Sequence, residues 1–145
     1  PYVIEYNVRM GDPEAESVIP RIKSDLMELF KGVGEANLDD KELEIDERFS
    51  VAVFLVSGGY PGSYEKGKKI TGFDQTDNCI LFHAGTKIND RDETISSGGR
   101  VIAVNGMGKD MNAALAAAYR NAKIVRFDKK YYRKYLGKDL KAYKQ

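Results

Sequence analysis

Apolar and polar residues alternate from Tyr2 to Met10, so that Tyr2, Ile4, Tyr6, Val8 and Met10 share one face of an extended segment while Glu5, Asn7 and Arg9 share the other. The alternation predicts a strand. Its polar face is open to two readings: the solvent side of an edge strand, or a site from which a carboxylate, an amide and a guanidinium project together. In Gly11-Asp12-Pro13-Glu14 the chain turns, with Asp12 suited to cap a helix, Pro13 to its first position and Glu14 to its positive end. Pro20 interrupts the first turn. Beyond it Ile22, Leu26, Leu29 and Phe30 recur at helical spacing, which predicts a helix that buries one face and ends near Gly32 or Gly34.

The acidic stretch from Glu35 to Glu47 is ambiguous, since Leu38 fits a short helix whereas Leu43 and Ile45 alternate like a strand. A domain boundary is placed near Asp46, dividing the chain into residues 1–46 and 47–145. Phe49 to Val56 is almost wholly apolar and β-prone, the pattern of a strand covered on both faces, and it runs into the tight loop Gly58-Gly59-Tyr60-Pro61-Gly62. Short strands are expected around Lys69 to Gly72 and Cys79 to Ala84, an exposed loop over Asn89 to Ser97, and a strand from Arg100 to Asn105. Met111, Ala114, Leu115, Ala118, Tyr119 and Ala122 form the clearest helical stripe. Gly106-Met107-Gly108 stands before that helix like a phosphate-binding turn. Met111 occupies the place of the third fingerprint glycine, however, and no Gly-Lys-Ser/Thr follows, so it reads as a plain helix entry. Beyond Ile124-Val125-Arg126-Phe127 the tail mixes Tyr131, Tyr132, Tyr135 and Tyr143 with lysines, which predicts a closing strand and a short surface helix. The whole pattern is of the α+β class, a small and mostly antiparallel β domain with a packed amphipathic helix.

With 42% hydrophobic and 31% charged residues in 145, the chain has the composition of a soluble protein that buries a core. No apolar run approaches a membrane span. The lone Cys79 makes no internal disulfide, which fits a cytoplasmic location, and His83 has no Cys or His nearby for a zinc site, leaving a structural or a general-base role. Lysines and arginines crowd the end of the chain, a distribution that attracts phosphate. The interleaved tyrosines read as packing residues, and neither nucleic acid nor a membrane is expected as partner. Because the chain opens on Pro1 and runs directly into a strand with polar site residues, it is expected to be the downstream part of a longer polypeptide.

A carboxylate and an amide oxygen at Glu5 and Asn7 suit one hard cation such as Mg²⁺, and Arg9, two residues on, suits a phosphoryl group beside it. Glu5-x-Asn7-x-Arg9 with Gly11-Asp12-Pro13-Glu14 resembles the end of the ATP-grasp domain in the phosphoribosylamine–glycine ligase family. The resemblance continues through Lys23-Ser24-Asp25-Leu26, Gly58-Gly59-Tyr60-Pro61-Gly62, Phe82-His83-Ala84-Gly85-Thr86 and Gly98-Gly99-Arg100-Val101.

It implies the last strand and helix of an ATP-grasp domain over 1–46 and the ligase C-terminal domain over 47–145. It also implies an ATP-dependent ligase of purine biosynthesis that joins glycine to 5-phosphoribosylamine through a glycyl phosphate. Matched by position, Glu5 and Asn7 are metal ligands for Mg²⁺ or Mn²⁺, Arg9 is the catalytic arginine, and Asp12, Gly59, Tyr60 and Pro61 face substrate. Asp12 also keeps its simpler reading as a helix cap. The family's glycine-rich lid, nucleotide-contacting lysines and further acidic ligand belong upstream, so the upstream part of the polypeptide is an expected partner and the chain alone is expected to be inactive. The alternative is a free-standing, non-catalytic α+β module that binds a phosphate ligand.

Overall fold

A computed structural model of the chain describes residues 2–4, 6 and 8–137. At its centre β1 (Phe49–Ser57) and β5 (Arg100–Gly108) pair antiparallel, with Phe49 opposite Gly108, Leu55 opposite Ile102 and an irregularity at Leu55/Val56. Outside β5 lies β2 (Cys79–His83) and outside β1 the short β6 (Lys130–Tyr131), giving a four-stranded sheet in the order β2-β5-β1-β6. A separate hairpin joins β3 (Thr86–Ile88) to β4 (Thr94–Ser96). The helix α3 (Met111–Ile124) covers one face of the large sheet, where Val53, Leu55, Ile102 and Val104 meet Ala118, Ala122, Val125 and Phe127. β1 is fully buried on that face only. Val53, Leu55 and Ser57 are buried and the alternate residues partly exposed, so the strand expected to be covered on both faces is covered on one.

The stripe of alanines lets α3 lie directly on β5. A Cβ added at Gly106 would stand 2.3 Å from Ala118 N and 2.6 Å from Ala114 O, and one at Gly108 would stand 2.5 Å from Ala114 N. Gly106-Met107-Gly108 is therefore the end of β5 and not the helix entry expected of it, its glycines set by the helix above them. The cap follows at Asp110, whose carboxylate accepts from Ala113 N at 2.8 Å. At the other end the Lys130 ammonium donates to the carbonyls of Ala122 (2.6 Å) and Val125, a favourable place for a cation, although burial lowers its pKa. Buried Asn121 ties the approach to β2 onto the helix, accepting from Asp77 N and donating to Asp77 O.

Several expected elements differ. The described residues of 2–10 form no strand, and Ile4 is 96% exposed, because no neighbouring segment hydrogen-bonds to them. The first helical region is split into α1 (Ala15–Val18), a 3₁₀ turn at Ile19–Arg21 and α2 (Leu26–Gly34), which Asp25 caps through Met27 N at 2.8 Å. Phe30 is on the exposed side of α2, contrary to the buried face expected for it. Lys69 to Gly72 makes only single bridges, Lys69 to Ile95 and Thr71 to Arg126, whereas the closing strand expected in the tail is present as the short β6, paired with β1. Asn89 to Ser97 is no simple loop. Asn89 Oδ1 accepts from Arg91 N and Glu93 N, folding a turn that returns the chain as β4. No helix occurs in the described part of the tail, the rest of which lies outside the described residues. Among the described residues no helix is long and apolar enough to cross a membrane.

The segment after β1 is held to the chain beyond α3 by charge. Glu65 pairs with Lys68 at 2.6 Å and Lys129 at 2.8 Å, while Lys68 also meets Asp128 at 3.3 Å. Hydrogen bonds from Lys129 and then Lys68 hold the Glu65 carboxyl down from 4.5 to about 2. A depressed carboxyl pKa stabilises the folded state at neutral pH and ceases to do so as pH falls from 4.5 towards 2. A carboxyl-detected NMR titration is expected to place the Glu65 midpoint near 2, and Lys129→Met with Lys68→Met to return it towards 4.5. Gly106→Val, which puts a branched side chain under α3, is expected to cost roughly 1–3 kcal/mol or more in urea unfolding.

Candidate functional site

β1 and β2 end, and β5 begins, at the same edge of the sheet, which gathers the glycine-containing strings of the sequence. Ser57, the last residue of β1, donates from N to Gly99 O at 2.8 Å and from Oγ to Gly98 O at 2.9 Å. Just past β2, Gly85 donates from N to Arg100 O at 2.8 Å and accepts at O from Ser97 N at 2.8 Å. A Cβ on Gly85 would lie 2.5 Å from Arg100 O and 2.7 Å from Gly98 Cα, so these backbones meet only as glycines. The Gly58–Gly62 loop folds over this junction. Gly59 takes a φ of 99°, Tyr60–Pro61 is cis, Tyr60 N donates to Ser57 O at 3.0 Å, and the Tyr60 ring rests on Gly99 with Tyr64 edge-on at 6.1 Å.

Arg100 follows on β5. Its guanidinium carbon is 5.4 Å from the centroid of the Phe54 ring, and its Nη2 forms an ion pair with Asp12 Oδ2. Both partners remain partly exposed, at 41% and 48% of their side chains. Asp12 is thus not a helix cap. The cap position of α1 belongs to Glu14, whose Oε1 accepts from Gly11 N at 2.5 Å. The segment that follows is fixed to the sheet by buried Asn105, which donates from Nδ2 to Glu16 O at 2.8 Å and Ser50 Oγ at 2.7 Å.

The structure therefore brings Asp12, Gly59, Tyr60 and Pro61 to one sheet edge and adds Arg100, which was not among the expected site residues. Sequence spacing carries no sign of a pairing between positions so far apart. The available hint was a basic residue directly after a glycine pair. Arg9 is exposed, with Nη1 donating to the neighbouring Met10 O at 3.0 Å. Glu5 and Asn7 lie outside the described residues. As a donor set, one carboxylate and one amide oxygen fit a hard divalent cation that keeps water and phosphate in its remaining positions. Among the described residues no group of three or more His, Cys, Asp or Glu forms a metal cluster. His83 Nδ1 lies 2.9 Å from Thr86 Oγ1 and its ring packs 5.4 Å from Phe73, the contacts of a structural histidine. A cleft of about 240 Å³ near Arg48, Asn78 and Met107 opens towards the other end of the sheet and holds none of the expected site residues.

Residues 50–139 match the family described as "Phosphoribosylglycinamide synthetase, C domain". A bifunctional purine biosynthetic protein of Schizosaccharomyces pombe is 47% identical over 136 residues, covering 92% of this chain and 17% of that protein. Phosphoribosylamine–glycine ligase of Halalkalibacterium halodurans is 43% identical over 138 residues, covering 94% of this chain and 32% of the enzyme. The crystal structure of phosphoribosylamine–glycine ligase from Thermotoga maritima superposes with a TM-score of 0.71 at 36% identity, covering 92% of this chain and 32% of that one. The chain thus spans about a third or less of these relatives, and its antiparallel sheets and helices are those of the solved ligase. It belongs to the phosphoribosylglycinamide synthetase C-domain family.

Proposed function

We propose that the complete protein carrying this chain is an ATP-dependent ligase of the ATP-grasp type that joins glycine to 5-phosphoribosylamine in cytoplasmic purine biosynthesis. Residues 1–46 are then the end of the ATP-grasp domain and 47–145 the C-terminal domain. The observation that supports this best is the ion pair between Asp12 and Arg100. It ties Asp12 to the start of the strand just after Gly99, on which Tyr60 rests, and in this reading a phosphoryl-handling segment and a substrate wall thereby serve one site.

In this reading Glu5 and Asn7 hold Mg²⁺ or Mn²⁺, which when bound neutralises the phosphates of ATP. Arg9 offers a planar fork of donors to the phosphoryl group passing to the glycine carboxylate. A carboxylate is a poor acyl donor. As glycyl phosphate it yields to attack by the amine of phosphoribosylamine, with phosphate as leaving group and glycinamide ribonucleotide as product. Arg100, clamped through one nitrogen and by the Phe54 ring, turns the remainder of its fork to the 5-phosphate, and Gly59, Tyr60 and Pro61 wall that subsite. The lid over ATP and the nucleotide contacts come from the upstream part of the same polypeptide.

Glu5→Ala in the complete ligase is expected to abolish glycine-dependent ADP release while leaving the circular dichroism spectrum unchanged, and full activity would remove Glu5 from the site. Arg100→Ala is expected to raise the KM for phosphoribosylamine about tenfold or more, or about 1.4 kcal/mol, without changing the KM for ATP. Residues 1–145 alone are expected to release no ADP, and saturable turnover by that chain would overturn the assignment of the ATP site upstream.

A further inference from the structure

Glycine at position 99 is not required by its own backbone. Gly59 adopts a positive φ, whereas Gly99 does not, so conformational freedom accounts for the first and not for the second. What occupies the place of a side chain is the Tyr60 ring. A Cβ at Gly99 would stand 2.1 Å from Tyr60 Cδ2 and 2.6 Å from Cε2, against an ordinary contact of 3.4–4 Å. Gly99 is buried beneath that ring, its carbonyl accepts from Ser57 N, and the next residue is Arg100.

The loop that carries Tyr60 has little freedom to absorb a shift. A Cβ at Gly58 would meet Lys129 O at 2.6 Å and one at Gly59 would meet Ser63 O at 2.1 Å, so the loop is folded tightly on itself and on the chain beyond α3. Glu65 holds its far side through Lys68 and Lys129. The ring is therefore seated by surroundings fixed before any ligand arrives.

We infer that Gly99 is a positioning residue: by lacking a side chain it seats Tyr60 on the backbone just before Arg100 and so fixes the wall against which the phosphate-bearing substrate is held. The inference rests on the reading of Tyr60 as a substrate contact given above. A methyl group at position 99 forces the ring to retreat from a 2.1 Å approach to at least 3.0 Å, and to 3.4 Å for an ordinary contact. A gap of about 1 Å forfeits roughly half of a van der Waals contact, so the displaced ring no longer holds the substrate as closely.

The test is a double-mutant cycle in the complete ligase, reading KM for phosphoribosylamine separately from kcat. Tyr60→Ala and Gly99→Ala are each expected to raise that KM about tenfold, an effect of misplaced binding groups, with kcat changed far less. With the ring gone there is nothing to displace, so adding Gly99→Ala to Tyr60→Ala is expected to cause no further rise. Multiplying effects, or a normal KM in Gly99→Ala beside a raised KM in Tyr60→Ala, would overturn the inference alone. A normal KM in Tyr60→Ala would instead overturn the reading of Tyr60 as a substrate contact. If Gly99→Ala does not fold, the double variant decides: it is expected to fold with the KM of Tyr60→Ala, and a double variant that also fails to fold would sink the proposal, because the clash would then not be with the ring.

Discussion

The close approach of α3 to β5 is the constraint from which the rest follows. A helix backbone lies against a strand backbone only where neither carries bulk. Gly106 and Gly108 on the strand, with Ala114 and Ala118 on the helix, meet that condition. With the helix held there, Ile102 and Val104 point into the same layer as Val53 and Leu55, and β5 becomes the central strand to which β1 and β2 both pair. Its start is thereby also fixed. Gly98, Gly99 and Arg100 stand where β1 gives way to the Tyr60 loop and β2 to Gly85, and the candidate site is the far end of a strand whose near end is clamped by the helix.

The opposite face of the sheet is where the N-terminal segment attaches, and it does so at two points on the same strand. Asn105 takes hold of Glu16 O and Ser50 Oγ from a buried position, and Arg100 takes hold of Asp12 at the surface. These contacts differ in kind. The amide bonds are shielded from water, whereas the ion pair is half exposed and derives much of its geometry from the Phe54 ring beneath the guanidinium. The segment is thus located by Asn105 and aimed by Arg100.

What the sequence disclosed and what it withheld divides along the range of the forces involved. The stripe from Met111 to Ala122 and the apolar run from Phe49 to Val56 are local periodicities, and both became the elements expected of them. Gly106-Met107-Gly108 misled because glycines just before a helix suit its entry, while here they end the strand and a helix folding back over them demands their lack of bulk. The Asn89–Ser97 stretch misled in the other sense, its turn being made by one asparagine carbonyl that composition does not reveal. At the amino terminus the alternation was read correctly as a period, but a strand is completed by a hydrogen-bonding neighbour, and none pairs with the described residues of 2–10. Of the candidate site, the glycine strings and Asp12 stand out in the sequence. Arg100 does not, since its pairing with Asp12 is made only by the folded sheet.

In the proposed ligase these two kinds of contact divide the labour of the site. Seated on Gly99 and with Tyr64 edge-on to it, Tyr60 belongs to a wall carried by a tightly folded loop. The pair between Arg100 and Asp12 is of the exposed type, worth about 1 kcal/mol or less, and it engages one nitrogen only, so the rest of the guanidinium fork stays open to an arriving phosphate. A seated wall next to a half-open fork of donors suits a substrate whose phosphate is an anchor and whose amine must be placed accurately. The anchor can then form while Nη2 keeps Asp12, so that binding the phosphate leaves undisturbed the contact that aims the amino-terminal segment.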